Sequence, residues 1–331
     1  MNSICMFRKL MIRALIIMIS LLCAYPSCFA AEPVPIKIGY SALRISLPVF
    51  SAYKEGFFKD EGLDVELVRF DTAQPLMNSL VAGNIQVAGY TALPITFNSM
   101  LRSKTQLYFI TSLYEDQDHP ISYVIVPSGT PANFQLSDLK GKKVGILPTV
   151  AYRVWFEEIL KYHKVDPSSV GIVPLAPALT PTSLNSGQVD ALFTNDPAAT
   201  AVLQKGLGRL LNKEVQVPKV LGGRFVFGSF NMIKDYADRN PDIAQKIVRA
   251  LDKAVDFVNT NQKEAKNNMK DFVHPSQQPY LEHYPDSAYA KTEMIDPAEF
   301  QNIADKYHRI GIINNPIQVK DLVVTQKSFN R

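Results

Sequence analysis

Beyond residue 30 the sequence has no cysteine. Its three cysteines, Cys5, Cys23 and Cys28, all precede that point. The rest of the chain therefore offers no disulfide, no zinc–thiolate centre and no cysteine nucleophile. An excess of one charge sign is also missing. The formal net charge is +4, but Arg8, Lys9 and Arg13 are the only charged residues of the first thirty, leaving 32 basic against 31 acidic groups. A body near +1 carries no electrostatic footprint for nucleic acid or an anionic membrane surface. The 22 prolines and 16 glycines are scattered, which excludes collagenous, low-complexity and coiled-coil chains. The five histidines, His119, His163, His274, His283 and His308, show no metal-ligand spacing. There is no Gly-x-Ser-x-Gly elbow, phosphate loop or dinucleotide fingerprint. What is there is 47% apolar residues in a length of 331, enough for two domains at about 150 residues each.

The first thirty residues have the layout of a secretory signal. A basic start is followed by an apolar stretch over 14–24, then Pro26 and small residues before Ala30-Ala31. A retained membrane anchor needs about 20 apolar residues, and this run is shorter. We expect cleavage near Ala30, a mature chain free of cysteine, and a periplasmic location with no remaining membrane span. Tyr25-Pro26-Ser27 before Cys28 is a poor match to a lipoprotein site, so a free form is expected.

From Ile36 short apolar runs alternate with amphipathic stretches of ten to fifteen residues, the rhythm of strands joined by crossover helices. Strands are predicted at 36–42, 64–70, 87–90 and 107–113. Between them lie a helix capped by Ser46 and running through Val49, Tyr53, Gly56 and Phe57, a helix capped by Thr72 and stopped at Gly83, and a helix closing over 98–104. The polar stretch 115–120 breaks the rhythm, and a strand at 123–127 follows. The pattern then restarts with strands at 143–147, 171–175 and 189–193. Its helices open at Thr149, at Thr180-Pro181 and at Asp196-Pro197. Gly222-Gly223 marks a second crossing before a strand at 225–232. Long amphipathic helices then open at Asn240-Pro241 and at Asp296-Pro297, the latter with Glu299 in its first turn and a stop at Gly311. The expected organisation is a signal at 1–30, a first lobe at 31–122, an inserted second lobe at 123–224, and a return to the first lobe at 225–331.

The run from Tyr53-Lys54-Glu55-Gly56-Phe57-Phe58 to Asp64-Val65-Glu66 resembles a signature of the solute-binding proteins of ABC importers, in the nitrate, sulfonate and taurine group. Three later stretches match in order: Ala82-Gly83-Asn84-Ile85-Gln86-Val87-Ala88, Asp138-Leu139-Lys140-Gly141-Lys142-Lys143-Val144, and Ser186-Gly187-Gln188-Val189-Asp190-Ala191. The resemblance covers most of the chain beyond Ile36 and implies a two-lobed α/β fold of the periplasmic-binding-protein type II class with a hinge between the lobes. It further implies a monomer that captures a small anionic or polar organic solute in an inter-lobe cleft and delivers it to an ABC permease with a cytoplasmic ATPase, with no catalytic residue, cofactor or metal. Two other roles resemble it in fold. One is a thiamine-pyrimidine synthase, which uses a cysteine-rich segment that this mature chain lacks, and the other is a periplasmic ligand sensor.

In open α/β sheets ligands sit beyond the carboxyl ends of strands, where helix starts present unpaired N–H groups. That rule gives as candidates Ser41 and Arg44 after the first strand, Tyr90 and Thr91 after the third, and Tyr114 after the fourth. Thr149, Val150 and Tyr152 follow at the first helix of the inserted lobe, and Asn195 follows a later strand. For Thr91 and Thr149 a helix cap and a ligand contact both stay open, since one hydroxyl can do either. Asp196 reads as a cap, and Asn195 as the residue free to face the cleft. Arg44 would suit an anionic head group; Arg153 and Arg224 are weaker candidates of that kind. Tyr90, Tyr114, Tyr152 and Trp155 could wall a pocket, although Trp155 and Phe156 read first as core. Asn195 stands where sulfonate-type relatives carry an aromatic, so the class of solute stays open among sulfonates, nitrate, other small anions and pyrimidine-like compounds.

Overall fold

The computed structural model describes residues 32–325, 328 and 329. The three cysteines, the signal segment and its expected cleavage point lie outside the described residues. Strand β1 (Val34–Ser41) turns Ile36, Ile38 and Tyr40 into the core. It leads to helix α1 (Leu47–Lys54), which has Pro48 in its first turn. Gly56 then takes φ +79°, and α2 (Phe57–Asp60) is a separate turn. The single helix expected from Ser46 through Phe57 is thus two pieces, because a left-handed residue ends the i to i−4 ladder. Ser46 sits at the cap position without making the cap bond, and its hydroxyl is buried with no partner. Strand β2 (Leu63–Phe70) is followed by α3 (Ala73–Val81), where Thr72 likewise makes no side-chain cap bond and the chain reverses at Gly83, φ +77°. Next come β3 (Val87–Ala92) and α4 (Leu93–Ser103), which starts five residues before Asn98 because Pro94 presets its first turn. Strand β4 (Leu107–Glu115) is buried along its whole length.

The chain then leaves for a second sheet. Its elements are β5 (Ser122–Pro127), β6 (Lys143–Ile146), α5 (Val150–Tyr162), β7 (Gly171–Pro174), α6 (Thr180–Asn185), β8 (Ala191–Asn195), α7 (Ala198–Gln204), β9 (Gly208–Leu210) and α8 (Gln216–Leu221). The spatial order is β7-β6-β8-β5-β9, with β6 parallel to β7 and β8, and β5 antiparallel to β8 and β9. Both faces of this sheet are covered. Val124, Val126 and Phe193 join the main core, while the alternate residues Tyr123, Ile125 and Leu192 build a smaller cluster with Leu184 and Val202. Thr180 does not cap α6. A 3-10 turn at Pro177–Leu179 runs straight into the helix, and the threonine hydroxyl turns back to the Ala176 carbonyl at 3.4 Å.

At β10 (Phe225–Ile233) the chain re-enters the first sheet, antiparallel to both β3 and β4. It continues through α9 (Lys234–Arg239), α10 (Pro241–Thr260), α11 (Gln262–Asn268), β11 (Ala288–Ala290) and α12 (Pro297–Arg309). The completed order is β2-β1-β3-β10-β4-β11. Helix α10 buries Ala244, Ile247, Leu251, Val255 and Val258 at three- and four-residue spacing and packs on α1. The result is a two-lobed α/β fold, each lobe a sheet flanked by helices, crossed once after Glu115 and once before Phe225. Among the described residues no helix is long and apolar enough to cross a membrane.

Candidate functional site

The loop after β1 and the loop after β8 come from different sheets, and they meet through one ion pair. Arg44 lies in a 3-10 turn, Arg44–Ser46, and its Nη2 is 3.0 Å from Asp196 Oδ2, with side chains 3% and 4% exposed. The guanidinium also donates to the carbonyls of Pro120 (2.7 Å), Pro285 (3.2 Å) and Asp286 (3.3 Å), and to Ser287 Oγ (2.9 Å). Asp196 uses its other oxygen to cap α7, accepting from Thr200 N at 3.2 Å and from Thr200 Oγ1 at 2.5 Å. Burial works against the arginine charge, but Asp196 and the phenols of Tyr123 and Tyr289 outweigh it and hold Arg44 above its ordinary value.

Beside this pair lies Glu115, the last residue of β4, with no solvent exposure. Its Oε1 accepts from Ile121 N (2.9 Å), Ser122 N (2.6 Å) and Ser122 Oγ (2.7 Å), tying the end of the first sheet to the start of β5. Its Oε2 is buried with no partner. Burial, partly offset by those bonds and by Arg44, pushes the carboxyl up to about 7. Four more buried polar atoms of the network lack partners: Arg44 Nε, the hydroxyls of Tyr152 and Tyr307 and the indole N–H of Trp155. Burial drives both phenols well above their usual range, with the charge of Glu115 next in effect on each; the Asn195 side chain acts on Tyr152 in the opposite sense.

The rings that carry three of these atoms come from both lobes. Trp155 and Tyr152 lie on α5 with centroids 5.2 Å apart, and Tyr152 sits 5.1 Å from Phe193 of β8. From the first lobe, Phe225 and Phe227 of β10 approach Trp155 at 5.5 and 5.8 Å, and Tyr307 of α12 at 6.4 Å. An aromatic layer with one carboxylate oxygen and four donors left over thus spans the junction. Each such unmet group costs about 1–3 kcal/mol, and folded proteins keep few of them.

The nine candidates read from the sequence divide into three groups. Arg44, Tyr152 and Asn195 meet at the junction, and Ser41 ends β1 just before it with a buried, unpartnered hydroxyl. Thr149 and Val150 stand exposed at the start of α5, where Thr149 Oγ1 accepts from Tyr152 N at 3.2 Å as a cap. Tyr90, Thr91 and Tyr114 belong to the interior of the first lobe. Tyr90 bonds Thr111 at 2.6 Å, and Thr91 shares a buried network with Thr96 and Asn231 at 2.7 and 2.8 Å while Ala92 takes the cap position. Tyr114 donates to Glu299 at 3.1 Å with the Arg224 guanidinium 3.5 Å over its ring. Arg153 is exposed and 3.8 Å from Glu157. Glu115 and Tyr307 were not among the candidates, and Trp155, named as a possible pocket wall, read first as core. A concavity of about 560 Å³ beside Gly222, lined by Arg224, Glu299, Lys306 and Arg309, shares only Phe225 with the junction. We place the site by the unmet polar groups instead, because that concavity is walled by charged surface side chains.

Comparison with known proteins agrees with this architecture. The aliphatic sulphonate binding protein SsuA of Escherichia coli superposes with a TM-score of 0.70 at 17% identity, covering 90% of this chain and 100% of that one. The taurine-binding periplasmic protein of Escherichia coli strain K12 is 22% identical over 224 residues, 67% of this chain and 66% of its own. A 4-amino-5-hydroxymethyl-2-methylpyrimidine phosphate synthase of Saccharomyces cerevisiae is 23% identical over 237 residues, 69% of this chain and 68% of its own. The model of the NMT1-like family matches residues 29–273, close to three quarters of the sequence. The chain has the periplasmic-binding-protein fold and belongs to the NMT1-like family.

Proposed function

We propose that the protein is the extracytoplasmic solute-binding component of an ABC importer. It captures a small polar solute between its lobes, closes about the two crossings at 116–121 and 222–224, and hands the solute unchanged to a permease. The observation that carries this reading is the junction itself, where Arg44, Glu115, Tyr152, Trp155 and Tyr307 each keep a buried polar atom without a hydrogen-bond partner beside an aromatic layer drawn from both lobes. A ligand that meets those atoms offsets their desolvation and contacts both lobes at once, which is what shifts a two-lobed protein toward its closed form. The names of the sulphonate- and taurine-binding relatives support the same role.

A thermal-shift screen against small sulfonates, nitrate, amines and pyrimidines tests the reading, since a ligand at a hundred times its dissociation constant adds about 2.7 kcal/mol. Small-angle scattering at saturation should show a reduced radius of gyration; an unchanged radius with a confirmed ligand speaks against closure. The synthase relative supports a second reading, an enzyme acting on a pyrimidine. Mass spectrometry of the recovered ligand separates the two, because a captured solute returns unaltered.

A further inference from the structure

We infer that the concavity beside the second crossing is an anion site, which takes a soluble phosphate-type anion through Arg224, Lys306 and Arg309. The site lies apart from the inter-lobe junction and stands independently of the capture reading. Its volume is about 560 Å³, with Leu221 and Gly222 at the end of α8 on one side and α12 on the other. Arg224 lays its guanidinium over the Tyr114 ring, 3.5 Å from the centroid. Stacking engages the face of the group and leaves its N–H edge open. Among the described residues that edge has neither an acceptor nor a carboxylate partner, and the same holds for the exposed Arg309. Lys306 is half-buried and gives one N–H to the Leu221 carbonyl, which leaves two. Burial and then the neighbouring Arg309 hold its amine below the ordinary value, with Glu158 acting in the opposite sense. The two acids of the wall are engaged by neutral donors: Glu299 accepts from the Tyr114 hydroxyl at 3.1 Å and Asp305 from the Gln301 amide at 2.8 Å. Three cations against these two acids leave one positive charge in the wall. A planar guanidinium edge beside an ammonium is the donor set that suits the paired oxygens of a phosphate.

The test is calorimetry on the full chain at low ionic strength, with inorganic pyrophosphate as the probe. It is repeated on Arg309→Gln, Lys306→Gln and Arg102→Gln. Arg102 is exposed, bonds Gln74 at 3.1 Å and lies outside the concavity, so its variant reports the loss of a positive charge elsewhere. Pyrophosphate should bind the wild type at millimolar concentration or below, weaken about tenfold in Arg309→Gln and in Lys306→Gln, hold in Arg102→Gln, and fade with added salt. Arg224→Lys keeps the charge but not the fork, and should weaken binding several-fold. No binding to the wild type, or equal losses in all three glutamine variants, overturns the inference. Affinity unmoved by Arg309→Gln and Lys306→Gln also overturns it, placing the anion elsewhere and leaving the capture reading as it stands. Protein that sediments with phosphatidylglycerol vesicles but does not bind pyrophosphate overturns it in favour of a lipid headgroup.

Discussion

Arg44 and Asp196 stand 152 positions apart in the sequence, in loops of different sheets, and meet at 3.0 Å with both side chains almost wholly out of water. Neither residue is spare. Arg44 gathers carbonyls from 120, 285 and 286, so one side chain ties the first crossing to the segment before β11. Asp196 divides its two oxygens between the guanidinium and the first turn of α7. The pair thus joins the second lobe to the first.

Removing one partner of such a pair strands the other. Arg44→Ala and Asp196→Ala should each lower stability by roughly 3–5 kcal/mol, and the double variant should lose clearly less than their sum. Denaturant midpoints at constant slope measure this. Additive losses would mean that the two side chains act independently.

Glu115 gives the stability a pH signature. Its folded value of about 7 lies above the ordinary carboxylate value near 4.3. The contribution is therefore fully present below the unfolded value and is lost as pH rises through 7. Melting curves between pH 5 and 8 should fall more steeply for the wild type than for Glu115→Gln. The comparison between the two proteins matters because Asp252, raised by burial to about 6, titrates in the same window in both. Parallel curves would exclude an ionising Glu115.

The alternation of strands and helices was legible in the sequence because capping residues and glycines mark nearly every boundary. Asp296 does accept from Ala298 N at 2.8 Å, and Gly83 and Gly311 do take positive φ. The split at Gly56 was not legible, because Phe57 and Phe58 keep the helical apolar spacing across the break. Three-residue β11 has no periodicity to read. The proposed site was half legible. Strand ends pointed to Arg44, Tyr152 and Asn195, but the same rule drew in Tyr90, Thr91 and Tyr114, whose buried partners Thr111, Asn231 and Glu299 become neighbours only on folding. Glu115 was hidden for the opposite reason. It opens the polar run 115–120, which reads as solvated, yet the residue itself ends a fully buried strand.

Gly228 should be the least replaceable glycine of the first sheet. It lies at a register shift of β10, and a Cβ there would stand 2.6 Å from the Thr91 carbonyl oxygen and 3.2 Å from its carbon. Backbone cannot swing away as a side-chain tip can, so Gly228→Ala should cost about 1–3 kcal/mol. At Gly83, φ +77° with open space around the added atom, alanine meets only conformational strain, about 1 kcal/mol. Thermal melts of the two variants rank them, and the reverse order would show that the sheet relaxes at the bulge.

Trp155 is the single tryptophan of the chain, so its emission reports on one place. That place is the contact between α5 of the second lobe and Phe225, Phe227 and Tyr307 of the first, with the indole fully buried and its N–H unpartnered. While the lobes hold together the indole sits in an apolar shell, and its emission should be blue-shifted and poorly quenched by acrylamide. Arg44→Ala removes the ion pair that joins the loops, so the spectrum should move to the red and quenching should rise at denaturant concentrations well below unfolding. A saturating ligand should reverse both changes, because it supplies partners to atoms on either side. A spectrum that stays blue and unquenched in Arg44→Ala would assign these rings to the pivot about which the lobes turn. The surfaces that part would then lie between Arg44 and the exposed start of α5 at Thr149 and Val150.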